Sequence, residues 1–262
     1  MEAILETKNL TMNFGGITAL NRVDLQVHPG EVCALIGPNG AGKTTFFNCI
    51  TGIYPPSEGD VFISPPGRKR KRINGLPVHK VTARGLARTF QNIRLFPDMT
   101  VLENVMVGRH CRTKAGVLGA VFRDRTTRNE EKAIVTRSYD ILERIGLADA
   151  ANTMARNLPY GDQRRLEIAR ALATEPFLLL LDEPAAGMNP RETADLEELI
   201  LKIRNEEKIA ILMIEHDMRM VMSISNRIFV LDYGKKIAEG TAAEIWENPV
   251  VIKAYLGEEF DA

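Results

Sequence analysis

Three short, almost uninterrupted apolar runs stand out in the hydrophobic pattern of the chain. They cover residues 32–36, 177–181 and 209–214. Runs of this length without alternating polar positions are typical of strands that are buried on both faces of a parallel sheet. A helical stretch from Pro190 to Arg204 separates the last two runs, and this order predicts a β-α-β unit. The sequence therefore predicts an α/β fold with a parallel-sheet core, whose ligands lie at the carboxyl ends of the strands.

The middle of the chain has a helical pattern instead. Residues 100–103, Thr-Val-Leu-Glu, have the spacing of a helical capping box, and residues 241–244 repeat it. We interpret Gln91 to about Pro159 as a helical subdomain inserted into a core formed by 1–90 and 160–262. We also expect Trp246 to pack against the short helix after residue 241. No apolar stretch reaches the roughly 18–20 residues that span a bilayer, so any membrane work requires another chain.

A glycine-rich octet follows the first apolar run. Residues 37–44 read Gly-Pro-Asn-Gly-Ala-Gly-Lys-Thr, which is the spacing of a phosphate-binding loop. Glycines allow backbone N–H groups to close around phosphate oxygens, and a helix after the loop adds its positive N-terminal end. A glycine-rich turn without a nucleotide is the alternative, which the order of strand, motif and helix disfavours. The candidate nucleotide-binding residues here are Gly37, Pro38, Asn39, Gly40, Ala41, Gly42, Lys43, Thr44 and Thr45.

Two adjacent acids end the second apolar run. Asp182 is placed to hold Mg²⁺ together with the Thr44 hydroxyl, and Glu183 can accept a proton from an attacking water. The alternative is a pair of acids that merely ends a strand. The phosphate-binding loop favours the functional interpretation, because a nucleoside triphosphate with Mg²⁺ requires such a carboxylate.

Composition and charge narrow the classes of partner. Hydrophobic residues make up 45% of the 262-residue chain, which is enough for a sizeable core. Basic and acidic residues number 34 each, so the chain has no net positive charge that would attract nucleic acid. We therefore expect no nucleic-acid partner. Cys33, Cys49 and Cys111 have neither metal-ligand spacing nor the even count of a disulfide framework, which fits a reducing cytoplasm. The first eight residues lack a secretory-leader pattern, so none is expected.

Residues 68–72 form a run of five positive charges in a turn-rich hairpin region. Such a run can bind nucleic acid or phospholipid headgroups. Because no aromatic residues interleave with it and the chain has no net basicity, we favour a solvated loop tip.

Taken together, these motifs resemble the nucleotide-binding domains of the ATP-binding-cassette (ABC) family over essentially the whole chain. The further positions that match in chain order are Phe14, Gln91, the segment 158–165 around Gly161, the Asn189 turn and His216. The resemblance implies a P-loop NTPase with an antiparallel β subdomain and an inserted helical subdomain beside the parallel core. Taken singly, Phe14 also fits a turn aromatic, Gln91 a surface polar residue and His216 a local hydrogen-bonding group.

The resemblance also implies a role for each matching residue. Phe14 stacks on adenine, Gln91 contacts Mg²⁺ and the lytic water, and His216 contacts the γ-phosphate. Gly161 binds ATP in trans, that is, the ATP held by the phosphate loop of a second chain. The cofactors are ATP and Mg²⁺, and the activity is ATP hydrolysis.

The sequence departs from the family pattern in two places, the signature segment and the Asn189 turn. In the signature segment, Pro159 replaces a serine, Tyr160 replaces a glycine and Asp162 replaces a glutamine. The loss of the serine hydroxyl removes one phosphate contact, and we expect Asp162 to cap the following helix, from Gln163 to Ala173. Asn189 replaces an aspartate, and loss of that charge is expected to affect communication between subunits.

Segments 87–96, 160–170, 182–187 and 254–258 resemble the ATPases of bacterial branched-chain amino acid importers. This resemblance implies a related, non-identical second ATP-binding subunit, two membrane-spanning permease subunits and an external solute-binding protein. It places the chain peripherally at the cytoplasmic face of the inner membrane. ATPases of lipopolysaccharide export, and a subunit that binds ATP with little hydrolysis of its own, remain as alternatives. Cassettes of DNA repair and of translation are disfavoured, because coiled-coil arms, zinc modules and a second nucleotide unit are lacking.

Overall fold

The computed structural model describes residues 2–112 and 125–260, with side chains omitted at 125–128 and 256–260. Its strands are β1 (Leu5–Phe14), β2 (Ile17–Val27), β3 (Val32–Ile36), β4 (Glu58–Ile63), β5 (Lys71–Arg72), β6 (Leu86–Arg88), β7 (Leu178–Asp182), β8 (Ala210–Ile214), β9 (Arg227–Asp232) and β10 (Lys235–Gly240). Its α-helices are α1 (Lys43–Ile50), α2 (Val78–Ala83), α3 (Val101–Arg109), α4 (Arg125–Arg144), α5 (Tyr160–Leu172), α6 (Pro190–Glu207), α7 (Met218–Ile224), α8 (Ala242–Trp246) and α9 (Pro249–Phe260).

The chain forms two compact units. The first comprises Met1–Arg88 and Phe177–Ala262, and the second comprises Thr89–Pro176. The predicted helical insertion ended at Pro159, whereas the second unit continues through α5. The reason is that α5 packs against both α3 and α4, so its neighbours are helices of the insertion.

A six-stranded sheet forms the centre of the first unit, in the order β10-β9-β3-β8-β7-β6. Strands β9, β3, β8, β7 and β6 are parallel, and β10 is an antiparallel edge strand. Every residue of β3, β7 and β8 is buried, as their uninterrupted apolar runs predict. The β-α-β unit is also confirmed, since β7 and β8 are parallel neighbours joined through α6.

The predicted antiparallel subdomain is a four-stranded sheet in the order β2-β1-β4-β5. Its apolar face and the six-stranded sheet share one hydrophobic core with α1. Phe46 and Phe47 of α1 are fully buried in that core, together with Leu10 of β1 and Leu35 of β3. The core therefore fixes the start of α1 against the end of β3, which is where the octet lies.

The basic run lies partly inside this antiparallel sheet. Lys71 and Arg72 form β5, which pairs with β4, so the last two residues of the run lie in a strand and not in a loop tip, although both are exposed to solvent as expected. Arg70 forms an ion pair with Glu6, and Arg72 forms one with Asp60. The guanidinium of Arg70 also lies 3.8 Å from the centre of the Phe62 ring. Acidic side chains of neighbouring strands thus compensate part of this charge.

Local capping signals predicted two helix starts correctly. Thr100 and Glu103 form a complete capping box at α3, and Thr241 and Glu244 form another at α8. The expectation for Trp246 is wrong, because 67% of this residue is exposed; Ile245 is the buried residue of α8. Within the described ranges, the structure contains no helix that is both long and apolar enough to cross a bilayer.

Candidate nucleotide-binding site

The phosphate loop connects β3 to α1 and depends on glycine at both ends. Gly37 has φ of 148°, and a Cβ there would lie 2.0 Å from the carbonyl oxygen of Leu231. Gly42 has φ of 100°, and a Cβ there would lie 2.6 Å from the carbonyl oxygen of Ala19. At both positions an amino acid with a Cβ would be strained in this backbone conformation and would clash with the neighbouring main chain, so glycine is required. The loop is therefore tightly seated on the first unit.

The side chain of Lys43, the first residue of α1, folds back into the phosphate loop. Its ammonium group donates hydrogen bonds to the carbonyl oxygens of Gly37 at 2.6 Å and Pro38 at 2.8 Å. The residue is 7% exposed, whereas Gly40 and Thr44 are exposed. A buried cation below a rim of accessible main chain and hydroxyl groups is suited to binding a polyphosphate. Thr45, in the same helical turn as Thr44, is partly exposed.

Strand register brings the other catalytic candidates to the same edge of the sheet. Leu35, near the end of β3, pairs with Ile214 at the end of β8. Ile214 in turn pairs with Asp182 at the end of β7. Because these strands are parallel, their carboxyl ends share one edge, as parallel strands of an open α/β sheet do. The octet, the acid pair and the segment that carries His216 therefore all leave the sheet at this edge.

Asp182 is buried and forms an ion pair that the sequence analysis missed. Its carboxylate accepts a hydrogen bond from Arg88 at 2.6 Å, and both side chains are less than a tenth exposed. Arg88 also donates to the side-chain oxygen of Asn48 in α1, at 2.7 Å. Arg88 therefore links the end of β7 to the helix that follows the phosphate loop. Arg88 ends β6, a parallel neighbour of β7, and this position is the feature that could have predicted its pairing with Asp182.

Glu183 follows Asp182 in a left-handed backbone conformation, with φ of 48°. This conformation is uncommon outside glycine and turns the side chain out of the strand path. Its carboxylate lies 3.2 Å from Nε2 of His216. The structure thus brings together the predicted general base and the predicted γ-phosphate sensor. His216 therefore makes a local hydrogen bond, as the alternative interpretation of this residue predicts. Its position beside Glu183 is also compatible with a contact to the γ-phosphate.

Glu215 is a second residue that the sequence analysis missed. It is 4% exposed and accepts hydrogen bonds from the backbone N–H groups of Ala185 at 2.7 Å and His216 at 3.0 Å. Burial raises the pKa of its carboxyl group, and the nearby charge of Glu183 raises it further. Glu215 thereby ties the segment after Glu183 to the segment that carries His216. A charged residue at the end of a buried strand was the available signal.

The oxygen donors at this edge fit Mg²⁺. Mg²⁺ is typically held by one or two carboxylates together with hydroxyl, water and phosphate oxygens, rather than by a cage of protein ligands. Asp182 and the exposed Thr44 hydroxyl supply donors of this kind. No group of three or more His, Cys, Asp and Glu side chains suited to a metal is found among the described residues.

Phe14 ends β1 and is 41% exposed. Its ring meets that of Tyr54 edge to face, with the ring centres 5.3 Å apart. A partly exposed aromatic ring braced by a second ring is suited to stacking on a planar base. Tyr54, in the turn after α1, was not predicted.

The other two predicted nucleotide contacts belong to the second unit. Gln91 is exposed and lies just after the start of this unit. Gly161 is buried in the first turn of α5. The cap expectation for Asp162 is wrong, because Pro159 occupies the N-cap position and Asp162 lies within the first turn. Asp162 instead lies 3.9 Å from Arg165 one turn along.

Comparisons with known proteins agree with these features. A family model described as ABC transporter matches residues 20–186, and one described as branched-chain amino acid ATP-binding cassette transporter matches residues 235–261. The chain is 48% identical to the high-affinity branched-chain amino acid transport ATP-binding protein LivG of Escherichia coli, over 98% of this chain and 99% of that protein. It is 49% identical to BraF of Pseudomonas aeruginosa, which has the same described role, over 97% and 98% of the two chains. The lipopolysaccharide export ATP-binding protein LptB of Escherichia coli is 33% identical over 98% of this chain and 99% of that protein.

Solved structures give the same result. An ATP-binding cassette of an ABC transporter in its ADP conformation superposes with a TM-score of 0.84 at 32% identity, covering 98% of this chain and all of that chain. A dimeric ATP-binding cassette in a post-hydrolysis state, bound to ADP and inorganic phosphate, gives a TM-score of 0.74 at 27% identity, covering 91% and 98%. Family model, whole-chain relatives and structures agree, and the chain belongs to the ATP-binding cassettes of the ABC transporter family.

Proposed function

We propose that this chain binds and hydrolyses ATP to power a membrane importer of branched-chain amino acids. The observation that carries the proposal is the near half identity to LivG and BraF over almost the whole chain. A second observation is the match of residues 235–261 to a family model described as branched-chain amino acid ATP-binding cassette transporter. Lipopolysaccharide export is the weaker candidate, since LptB is only 33% identical.

The chemistry follows from the residues at the sheet edge. The main-chain N–H groups of the phosphate loop and the Lys43 ammonium bind the β- and γ-phosphates and stabilise charge that develops during transfer. Glu183 accepts the proton of the attacking water. His216 is within hydrogen-bonding distance of Glu183 and contacts the γ-phosphate, so it links the state of the phosphate to the base. When bound, Mg²⁺ neutralises phosphate charge; Thr44, Asp182 and Gln91 are its proposed ligands.

Our proposal gives each ATP two protein surfaces. One chain supplies the phosphate loop and Phe14, and Gly161 of a second chain completes the site through the N-terminus of its α5. The second chain is a related but non-identical ATP-binding subunit. Two permease subunits span the inner membrane and hold both ATPases at its cytoplasmic face, and an external binding protein delivers the solute. A relative solved as a dimer with ADP and phosphate supports the pairing.

The test is phosphate release by the assembled transporter, purified with its permeases and supplied with binding protein. We expect leucine, isoleucine or valine to stimulate turnover. Glu183→Gln should lower stimulated turnover by about 100-fold or more while ATP binding persists, because the base acts on the water and not on the bound nucleotide.

The matched control is Glu143→Gln, an equivalent change at an exposed position of α4. It should leave turnover and stimulation unchanged. Normal phosphate release from Glu183→Gln would remove Glu183 from the role of base. Stimulation by a lipopolysaccharide precursor and by no amino acid would replace the proposed cargo.

A further inference from the structure

Charged residues of α5 hold the segment that carries Gln91. Three of them, Arg164, Glu167 and Arg170, are spaced so that they follow one face of the helix. All three bond to the main chain of residues 90–94, within the second unit. Arg164 and Glu167 are also within 3.5 Å of each other.

Arg164 makes the contacts nearest to Gln91. Its guanidinium donates one hydrogen bond to the carbonyl oxygen of Phe90, at 2.9 Å, and another to the carbonyl oxygen of Gln91. These carbonyls belong to the two peptide groups that flank the α-carbon of Gln91. Since each peptide group is planar, fixing both carbonyls fixes the direction in which the Gln91 side chain leaves the main chain. Lysine has no planar fork and cannot hold both carbonyls in the same way.

Glu167 and Arg170 complete the attachment. The carboxylate of Glu167 accepts a hydrogen bond from the backbone N–H of Arg94, at 3.2 Å, and one from that of Phe90. The guanidinium of Arg170 donates to the carbonyl oxygen of Arg94. Burial is deepest at the first two side chains of this face, with Arg164 4% and Glu167 2% exposed. Charge-assisted hydrogen bonds shielded from water are strong, so the segment is bound firmly to α5.

The same helix begins at the segment proposed to bind the ATP of the second chain. Gly161 lies in its first turn, one turn before Arg164. A displacement of α5 by nucleotide at Gly161 would therefore carry the main chain of Gln91 with it. Simple packing would not require buried charged groups on the backbone of one short segment, because apolar side chains bury the same area at lower cost.

We infer that Arg164 is a positioning residue for Gln91, and that α5 thereby couples the Gly161 end of the helix to the Gln91 segment. This inference rests on the proposed function, because the contact of Gln91 with the bound nucleotide is part of that proposal. Glu167 supports the same segment through the N–H groups of Phe90 and Arg94.

The first test is amide hydrogen exchange in the full, nucleotide-free chain. Arg164→Lys should speed exchange at the N–H groups of residues 90 and 94 by about tenfold or more, because the loosened segment releases them from Glu167. The matched control is Arg137→Lys in α4, whose guanidinium is 3.9 Å from Asp140 and partly exposed. It should leave exchange at these two positions unchanged. Unchanged exchange in Arg164→Lys would overturn the inference.

The second test is a double-mutant cycle on phosphate release by the assembled transporter. Arg164→Lys should lower turnover by about tenfold while the affinity for a fluorescent ATP analogue stays within about twofold. In a Gln91→Ala background the same change should cost less than about twofold, because its target is already gone. Equal losses in both backgrounds would mean a general structural role and would overturn the inference.

A milder variant and a separate control complete the design. Glu167→Gln keeps the shape of the side chain and serves if Arg164→Lys does not fold; it should speed exchange at the same two amides, and normal exchange would count against the inference. Lys43→Ala tests the proposed function itself. If turnover survives Lys43→Ala, the proposed function fails, while the exchange result still reports on the attachment of the Gln91 segment.

Discussion

At the scale of single residues, Asp182 illustrates how a buried carboxylate is paired with a cation inside the protein. Its side chain is 5% exposed, and that of Arg88, its ion-pair partner, is 7% exposed. An ionised carboxylate at such depth is costly unless a cation and further hydrogen bonds compensate it. Arg88 supplies the cation and is itself bound by Asn48 at 2.7 Å. A contact on the helix after the phosphate loop thus supports the proposed Mg²⁺ ligand.

We therefore expect Arg88→Gln to lower the free energy of unfolding by about 3–5 kcal/mol, because it leaves a buried charge without its cation. Arg72→Gln is the matched control, since Arg72 also pairs with an aspartate, Asp60, but the two side chains are 58% and 39% exposed. That change should cost less than about 1 kcal/mol. Urea unfolding of both variants makes the comparison. Losses of equal size would mean that burial does not increase the contribution of the Arg88–Asp182 pair to stability.

At the scale of elements, the helix starts show which features the sequence predicts. The capping boxes at Thr100 and Thr241 were predicted correctly because their bonds join residues three positions apart. The sequence predicts that α5 starts at Gln163, whereas the helix starts at Tyr160 and includes the buried Gly161, although glycine disfavours helix interiors. Packing against α3 and α4 outweighs that local preference there.

The candidate site likewise contains residues that the sequence predicts and contacts that it does not. The octet, Asp182 and Glu183 follow from motif and strand order, whereas the Arg88–Asp182 pair joins residues 94 positions apart. The contacts of Glu215 depend on a backbone N–H thirty positions away. A single sequence contains no spacing rule for such contacts, since the order of strands in the sheet decides them.

Asn189 gives an element-level prediction, because it is the N-cap of α6. Its side chain accepts hydrogen bonds from the N–H groups of Arg191 and Glu192, both at 3.0 Å. Asn189→Ala should cost about 1 kcal/mol in the free energy of unfolding, because these N–H groups lose their acceptor. Asn189→Asp keeps the acceptor and adds a charge that the helix N-terminus favours, so its stability should stay within about 0.5 kcal/mol of the wild type.

Unfolding measurements on both variants separate the cap from the charge. If Asn189→Asp keeps its stability but changes the ATPase rate of the assembled transporter, the charge acts between subunits, as we expect from the family pattern. An alanine variant as stable as the wild type would show that the cap contributes nothing to stability.

At the scale of the whole molecule, the proposed ATP site requires two chains. The phosphate loop, Asp182, Glu183 and His216 belong to the first unit of one chain, and the complementary Gly161 comes from another. Slowing hydrolysis should therefore stabilise the pair, because ATP binds the closed pair better than the separate chains. Relatives with dimeric solved structures fit this expectation.

We accordingly expect Glu183→Gln to form an ATP-dependent complex with the second, non-identical ATP-binding subunit. Bound ATP persists in this variant and contacts both chains, so association should rise with ATP concentration by mass action. Sedimentation of the variant with ATP, alone and with the second subunit, measures this. Lys43→Ala is the control: it should not associate, because its phosphate loop lacks the ammonium group that binds the β- and γ-phosphates. A complex of two identical Glu183→Gln chains, formed with ATP alone, would contradict the heteromeric pairing and make the chain its own partner.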